Sequence, residues 1–225
     1  MKLLKISALA ILAISLLTAC TSMRANQETV DATIETSSFT MVGVAIPGTV
    51  HFTQDSLRPV KVQAPHDVLK HLVVRVVDDC LTIETNSKTN FFTDWDSVHV
   101  YISSPELKSV QLAGSGTFVA DSIDGSSLFS IELAGSGDIN IGQLACSNAK
   151  LSIAGSGDIK VGLTKVSITT MDIAGTGDVN ATCKDCGDIR CSIAGTGDIT
   201  LKGNARHLEK SISGTGSINA NALSL

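Results

Sequence analysis

A six-residue phrase, apolar-small-Gly-Ser/Thr-Gly-polar, recurs six times in the second half of this chain. Its glycine pairs are Gly114 and Gly116, Gly135 and Gly137, Gly155 and Gly157, Gly175 and Gly177, Gly195 and Gly197, and Gly214 and Gly216. Successive first glycines stand 21, 20, 20, 20 and 19 residues apart. A period this regular marks stacked, near-identical units, each too small to bury its apolar face alone.

Each unit alternates apolar and polar residues on both sides of its phrase. Two positions before the first glycine stand Leu112, Leu133, Ile153, Ile173, Ile193 and Ile212; four after it stand Phe118, Ile139, Ile159, Val179, Ile199 and Ile218. Period-2 alternation is the sign of half-buried strands. The glycines bend the chain between two strands, because glycine reaches positive φ without steric cost. The expected fold is all-β: a right-handed parallel β-solenoid of about 20-residue rungs, stacked roughly 4.8 Å apart. The regular repeats span residues 109–225, and the twelve glycines are expected to be structural corners. The last unit departs from the pattern before its corner, with Arg206, His207, Glu209 and Lys210 in place of an apolar strand. Residues 37–108 form a less regular strand-rich half. Its candidate strands are 42–46, 50–53, 60–63, 72–77, 81–85 and 98–102, with Asp78-Asp79 as a turn. This half either continues the solenoid with irregular rungs or forms a small sheet that caps it.

The front end reads as a bacterial lipoprotein signal over residues 1–19. Lys2 and Lys5 supply the charged region, Ile6 to Leu17 are mostly apolar, and Leu17-Thr18-Ala19-Cys20 resembles a lipobox. The apolar run is too short for a membrane span. Cys20 is the expected lipidation site and residues 20–36 the tether, so the membrane is a partner through a lipid anchor. Without the signal the charge falls to 15 basic against 22 acidic residues. An acidic surface argues against nucleic acid as a partner.

Candidate chemistry is sparse. Asp138, Asp158, Asp178 and Asp198 follow the second glycine of the four middle units and should lie in file up the stack. They are weak candidates for a metal column. The favoured role is capping, a short carboxylate accepting backbone N–H bonds at a corner. Phe91, Phe92 and Trp95 gather three of the eight aromatics into five residues, which makes that segment a possible ligand contact or a cap on the end of the core. Cys80, Cys146, Cys183, Cys186 and Cys191 remain once Cys20 is assigned to lipid. Cys146, Cys186 and Cys191 sit at core positions of the repeat. Cys183-Lys-Asp-Cys186 has redox or zinc-knuckle spacing, but no second pair stands near it in sequence. No phosphate loop or hydrolase elbow is present, and rungs varying by one residue leave little room for catalytic loops. No cofactor and no catalytic residue are expected.

The repeated Gly-Ser/Thr-Gly-Asp-Ile/Val phrase, as in Gly135-Ser-Gly-Asp-Ile-Asn140, resembles the GIN-type auto-transporter adhesin head-domain family. The stretches Val60-Lys-Val-Gln63 and Val73 to Glu84 are similar to that family's first half. The likeness covers roughly residues 38–222. It implies an envelope lipoprotein or secreted protein with a β-helix and no catalytic set. The expected function is a lipid-anchored, non-enzymatic adhesion or ligand-binding module of the outer membrane, with a glycan or a host or envelope protein as partner. The alternatives are an envelope-maintenance lipoprotein without a ligand and a β-helix carbohydrate-active enzyme. The facing, surface or periplasmic, and the oligomeric state are left open by the sequence.

Overall fold

Two strands meet at every Gly-Ser/Thr-Gly corner, one before it and one after. In sequence order the regular part comprises β8 (Ser109–Gly114), β9 (Thr117–Gly135), β10 (Asp138–Gly155), β11 (Asp158–Thr164), β12 (Ile168–Gly175), β13 (Val179–Gly195), β14 (Ile199–Gly214) and β15 (Ile218–Ser224). The structure, a computed structural model, describes residues 29–86 and 95–225. The long strands carry the chain around from one face to the other, with register shifts at Ala145/Cys146 and Cys183/Cys186. All pairings among these strands are parallel. The result is a flattened β-solenoid with one sheet preceding the corners and one following them.

Stacking is in register at the corners. Gly114, Gly135, Gly155, Gly175, Gly195 and Gly214 pair in one unbroken file. The two glycines of a corner do different jobs. Gly155 has φ +147°, where L side chains are strained. Gly157 does not need positive φ; a Cβ there would lie 2.0 Å from the carbonyl oxygen of Gly137 in the rung below. So the first glycine makes the bend and the second lets the rungs approach.

The alternation seen in the sequence fills the space between the sheets. One inner column runs Val110, Ile131, Leu151, Met171 and Cys191; another runs Phe118, Ile139, Ile159, Val179 and Ile199. All ten are buried. Each such side chain contributes about 1.5–3 kcal/mol before conformational entropy is subtracted. Thr169 is the exception in this interior: its hydroxyl is buried and has no hydrogen-bond partner.

The N-terminal half both continues the stack and caps it. It contains β1 (Thr29–Ile34), β2 (Met41–Ala45), β3 (Thr49–Gln54), β4 (Val60–Pro65), a one-turn helix (His66–Leu69), β5 (Leu72–Val77), β6 (Cys80–Thr85) and β7 (His99–Ser104). Strands β2 and β3 form a rung that stacks parallel on β8 and β9. Strands β6 and β7 form a further rung on the other side of β2 and β3. The rung at 41–54 is therefore sandwiched between two segments that follow it in the chain. Beyond β6 and β7 the direction reverses: β5 pairs antiparallel with β6, β4 with β7, and β1 with β4. The hairpin between β5 and β6 turns at Asp78 and Asp79, both at positive φ, as a two-residue type I′ loop requires.

Two expectations change. Residues 29–34, read as tether, form β1; its backbone groups are satisfied by β4, and Ala32 and Ile34 pack on the core. The last unit is a strand in spite of its polar sequence, because residues 205–214 of β14 pair in register with β13. It has a neighbour on one side only, so its inner face tolerates polarity. Lys210 occupies the inner position below Cys191 and donates to the Ile218 carbonyl at 3.0 Å. Residues 1–28 and 87–94, which include the signal, Cys20, Phe91 and Phe92, lie outside the described residues.

Candidate functional site

With the interior filled by aliphatic side chains, only outward-facing rows can meet a ligand. The sheet that follows the corners carries two such rows side by side. The first runs His99, Thr49, Thr117, Asp138, Asp158, Asp178, Asp198. Three of its four carboxylates are tied to the next rung: Asp158 Oδ1 accepts the backbone N–H of Asp178 at 3.0 Å, and Asp178 Oδ1 accepts that of Asp198 at 2.8 Å. Asp198 Oδ1 accepts both the N–H and the hydroxyl of Ser217, at 2.7 and 2.9 Å. The bonds run between rungs, so the column is a set of inter-rung ties, where the sequence pointed to caps within a corner. Among the described residues no cluster of three or more His, Cys, Asp or Glu could hold a metal ion.

The second row runs Tyr101, His51, Val119, Asn140, Lys160, Asn180, Thr200. At its start the His51 and Tyr101 rings are stacked, centroids 4.8 Å apart and planes 12° apart. His51 Nε2 lies 3.2 Å from His99 Nδ1, and the Tyr101 hydroxyl donates to Gln63 Oε1 at 3.1 Å. Partial burial, with His99 beside it, holds the His51 imidazole below its ordinary pKa. Tyr101 is 39% exposed.

Next to this aromatic group a groove of about 740 Å³ crosses β9, β10, β11 and β13. Its floor is backbone at Gly142 and Gly162, where a Cβ would press on the rung below at 2.6 and 2.2 Å. Its walls carry Asp121, Asn140, Gln143, Lys160, Thr164, Thr182 and Lys184. That volume falls in the range of small-ligand sites, about 300–1,000 Å³. Sequence reading missed both the groove and the aromatic group. The signal was there in part: His51, His99 and Tyr101 hold the polar places of alternating strands, and Gly142 and Gly162 recur seven residues after their corner glycines.

Trp95 and the cysteines singled out in the sequence do not line this groove. Trp95 begins a 3-10 turn (Trp95–Ser97) and is half-buried against the core. Its carbonyl accepts the Val98 N–H at 3.0 Å. Cys146, Cys183, Cys186 and Cys191 are buried free thiols, and Cys80 is half-exposed on β6. Burial pushes Cys146 up to about 11 and Cys191 up to about 12. Cys183 and Cys186 share a side-chain hydrogen bond that, with burial, raises Cys183, while the same bond lowers Cys186. These thiols serve the interior as small apolar groups.

The chain matches the family model described as "Putative auto-transporter adhesin, head GIN domain" over residues 38–200 and 164–225. Three solved structures share the fold. One is a "putative adhesin" from Bacteroides fragilis, 21% identical with TM-score 0.68; another is a "Putative lipid binding protein" from Parabacteroides distasonis, 21% identical with TM-score 0.63. The third, a "putative adhesin" from Parabacteroides distasonis, is 13% identical with TM-score 0.53. Each alignment covers 86% of this chain and 97% of the other. No curated protein matches the chain. The family and two of these three structures are described as adhesins, and none as an enzyme. With the repeats, the stacked rungs and the family model in agreement over most of its length, the chain belongs to the auto-transporter adhesin head GIN-domain family.

Proposed function

We propose that this protein is a lipid-anchored, non-catalytic module of the cell envelope that binds an extended ligand along the sheet following its corners. The observation that carries the reading is the groove at Asn140, Lys160 and Thr182, an open channel lined by polar side chains that stand free of the core. The family supports an adhesion-type role at the cell envelope. The anchor is Cys20, supported by the lipobox-like Leu17 to Cys20. No helix among the described residues is long and apolar enough to cross a membrane. The outer membrane is the proposed site, and a glycan the proposed class of partner.

Two experiments test this. Cys20→Ala should move the protein from the membrane to the soluble fraction; a substituted protein that still pellets with the envelope overturns the anchor. A glycan array probed with the soluble mature chain should give hits that fall when groove residues are changed, for example Asn140→Ala with Thr182→Ala. Hits that persist in that variant place the binding surface elsewhere. Protease treatment of intact cells reports the facing: cleavage means the surface, protection the periplasm.

A further inference from the structure

The full chain is acidic, with 22 Asp and Glu against 17 Lys and Arg. Its cations are not spread evenly with respect to their partners. Arg58, Lys61, Lys70, Arg75, Lys108, Arg190 and Arg206 each pair with a carboxylate. Lys150, Lys160, Lys165, Lys184, Lys202 and Lys210 are all exposed, and none has an ion pair among the described residues. Four of them, Lys160, Lys165, Lys184 and Lys202, stand together. Thr182 pairs with both Gly162 and Lys202, Lys184 pairs with Thr164, and the Lys165 N–H bonds to the Lys184 carbonyl at 2.8 Å. Lys160 and Lys184 line the groove, Lys202 extends it toward the end of the stack, and Lys165 stands beside Lys184 just past the end of β11.

None of the nearby acids forms an ion pair with this strip. Asp121 is at the far end of the groove. Asp185 is held by Asn204, whose side-chain amide donates to Asp185 Oδ1 at 3.0 Å. Asp178 and Asp198 spend one oxygen each on the next rung. Four cations without an ion-pair partner within three adjacent rungs offer direct contacts to an anionic partner.

We propose that the groove binds an acidic polysaccharide, a carboxylate- or sulfate-bearing glycan, lying along the stack with its anionic groups on Lys160, Lys165, Lys184 and Lys202. This rests on the reading of the chain as an envelope binding module and names the class of its ligand. The shape favours a chain molecule, because the groove crosses strand after strand and stays open to solvent. A repeating ligand suits a repeating site. The wall groups Asn140, Gln143, Thr164 and Thr182 both donate and accept, as sugar hydroxyls require. The exposed lining offers no large aromatic anchor of the kind that dominates protein interfaces.

The test uses the soluble mature chain with three glycans, polygalacturonate (carboxylated), dextran sulfate (sulfated) and dextran (neutral), and with vesicles containing phosphatidylglycerol. One or both acidic glycans should bind, dextran should not, and affinity should fall by about tenfold or more between low and high salt. A Lys160→Gln, Lys184→Gln, Lys202→Gln variant should lose about tenfold or more of this affinity. Lys150→Gln, on the opposite sheet, should keep it. All three lysines are exposed, and melting curves confirm that the variant folds. Dextran binding equal to that of the acidic glycans, or acidic binding untouched by the triple variant, overturns the acidic-glycan assignment and leaves the binding-module reading standing. Lysine-dependent binding to vesicles alone assigns the strip to a membrane surface and overturns the glycan. Failure of all four probes, together with a blank glycan array, sinks the binding-module reading itself.

Discussion

The two halves of this solenoid reach the same cross-section by different routes. From residue 109 onward each rung stacks on the one before it, and near-identical rungs repeat the same corner, the same inner column and the same Asp tie. Before residue 109 the rungs have no common phrase, they stack out of chain order, and antiparallel strands close the end. The regular half draws strength from repetition: one residue type solves one packing problem six times. The irregular half solves a different problem. A parallel stack ends in a row of unpaired backbone groups, and edge strands of that kind invite unwanted pairing. Reversed strands β4, β5 and β1 cover that end; the outermost β5 is only partly buried and carries a single charge, Arg75.

Core truncation should separate the halves most sharply. Ile159→Ala removes a side chain enclosed by rungs on both sides and should cost about 2–5 kcal/mol in denaturant unfolding. Val76→Ala, on the outermost strand β5, should cost well under half as much, since Val76 is only partly buried. Equal losses would break the comparison.

Among the described residues the regular half holds the buried thiols, and two of them, Cys146 and Cys191, contribute a dependence on alkaline pH. The ordinary thiol value is near 9.0, and burial holds Cys146 near 11 and Cys191 near 12 in the fold. The unfolded chain therefore releases these protons first as pH rises. Stability is fully present below about pH 9 and falls above it, by roughly 1.4 kcal/mol per pH unit for each thiol, until the folded values are reached. Thermal melts between pH 8 and 11 should show this decline, and Cys191→Val should make it shallower. An unchanged slope in that variant would remove Cys191 from the account.

Corner chemistry comes next in size. Gly155→Val should cost about 1–3 kcal/mol, because the new side chain meets both an unfavourable φ and the Gly135 carbonyl oxygen at 2.1 Å. Asp178→Ala should cost about 1 kcal/mol by releasing the N–H of Asp198, and Asp178→Asn should cost less because the amide oxygen still accepts. The smallest effect has the opposite sign. Thr169→Val replaces an unpartnered buried hydroxyl with a methyl group of similar size and should raise stability by about 1 kcal/mol. A loss on that substitution would show that the hydroxyl has a partner.

The regular half was legible in the sequence because its determinants are local. The phrase around Gly155 states both the bend and the close approach, and the alternation around it states which side chains face inward. The six strand candidates of the irregular half were also legible one by one. Their order in the stack was not. Nothing in Met41 to Gln54 announces that it lies between β6–β7 and β8–β9, because pairing partners far apart in sequence leave no periodic trace. β1 was missed for a related reason: an edge strand needs backbone partners more than apolar residues. The groove was hidden by arithmetic. A net negative charge averages over the whole surface and conceals four lysines gathered on one face. Placing Lys160, Lys165, Lys184 and Lys202 on the repeat, all within ten residues after a corner glycine, would have exposed the cluster.

Lys210 bears on the length of the object. A rung that ends in a clean apolar column is a template for another rung, from this chain or from a second molecule, and such growth has no natural stopping point. An ammonium group set at the inner position of the last rung makes the next layer costly, since any copy laid over it would have to bury that charge. One residue thus works against a pattern that could otherwise propagate, copy upon copy, as a filament.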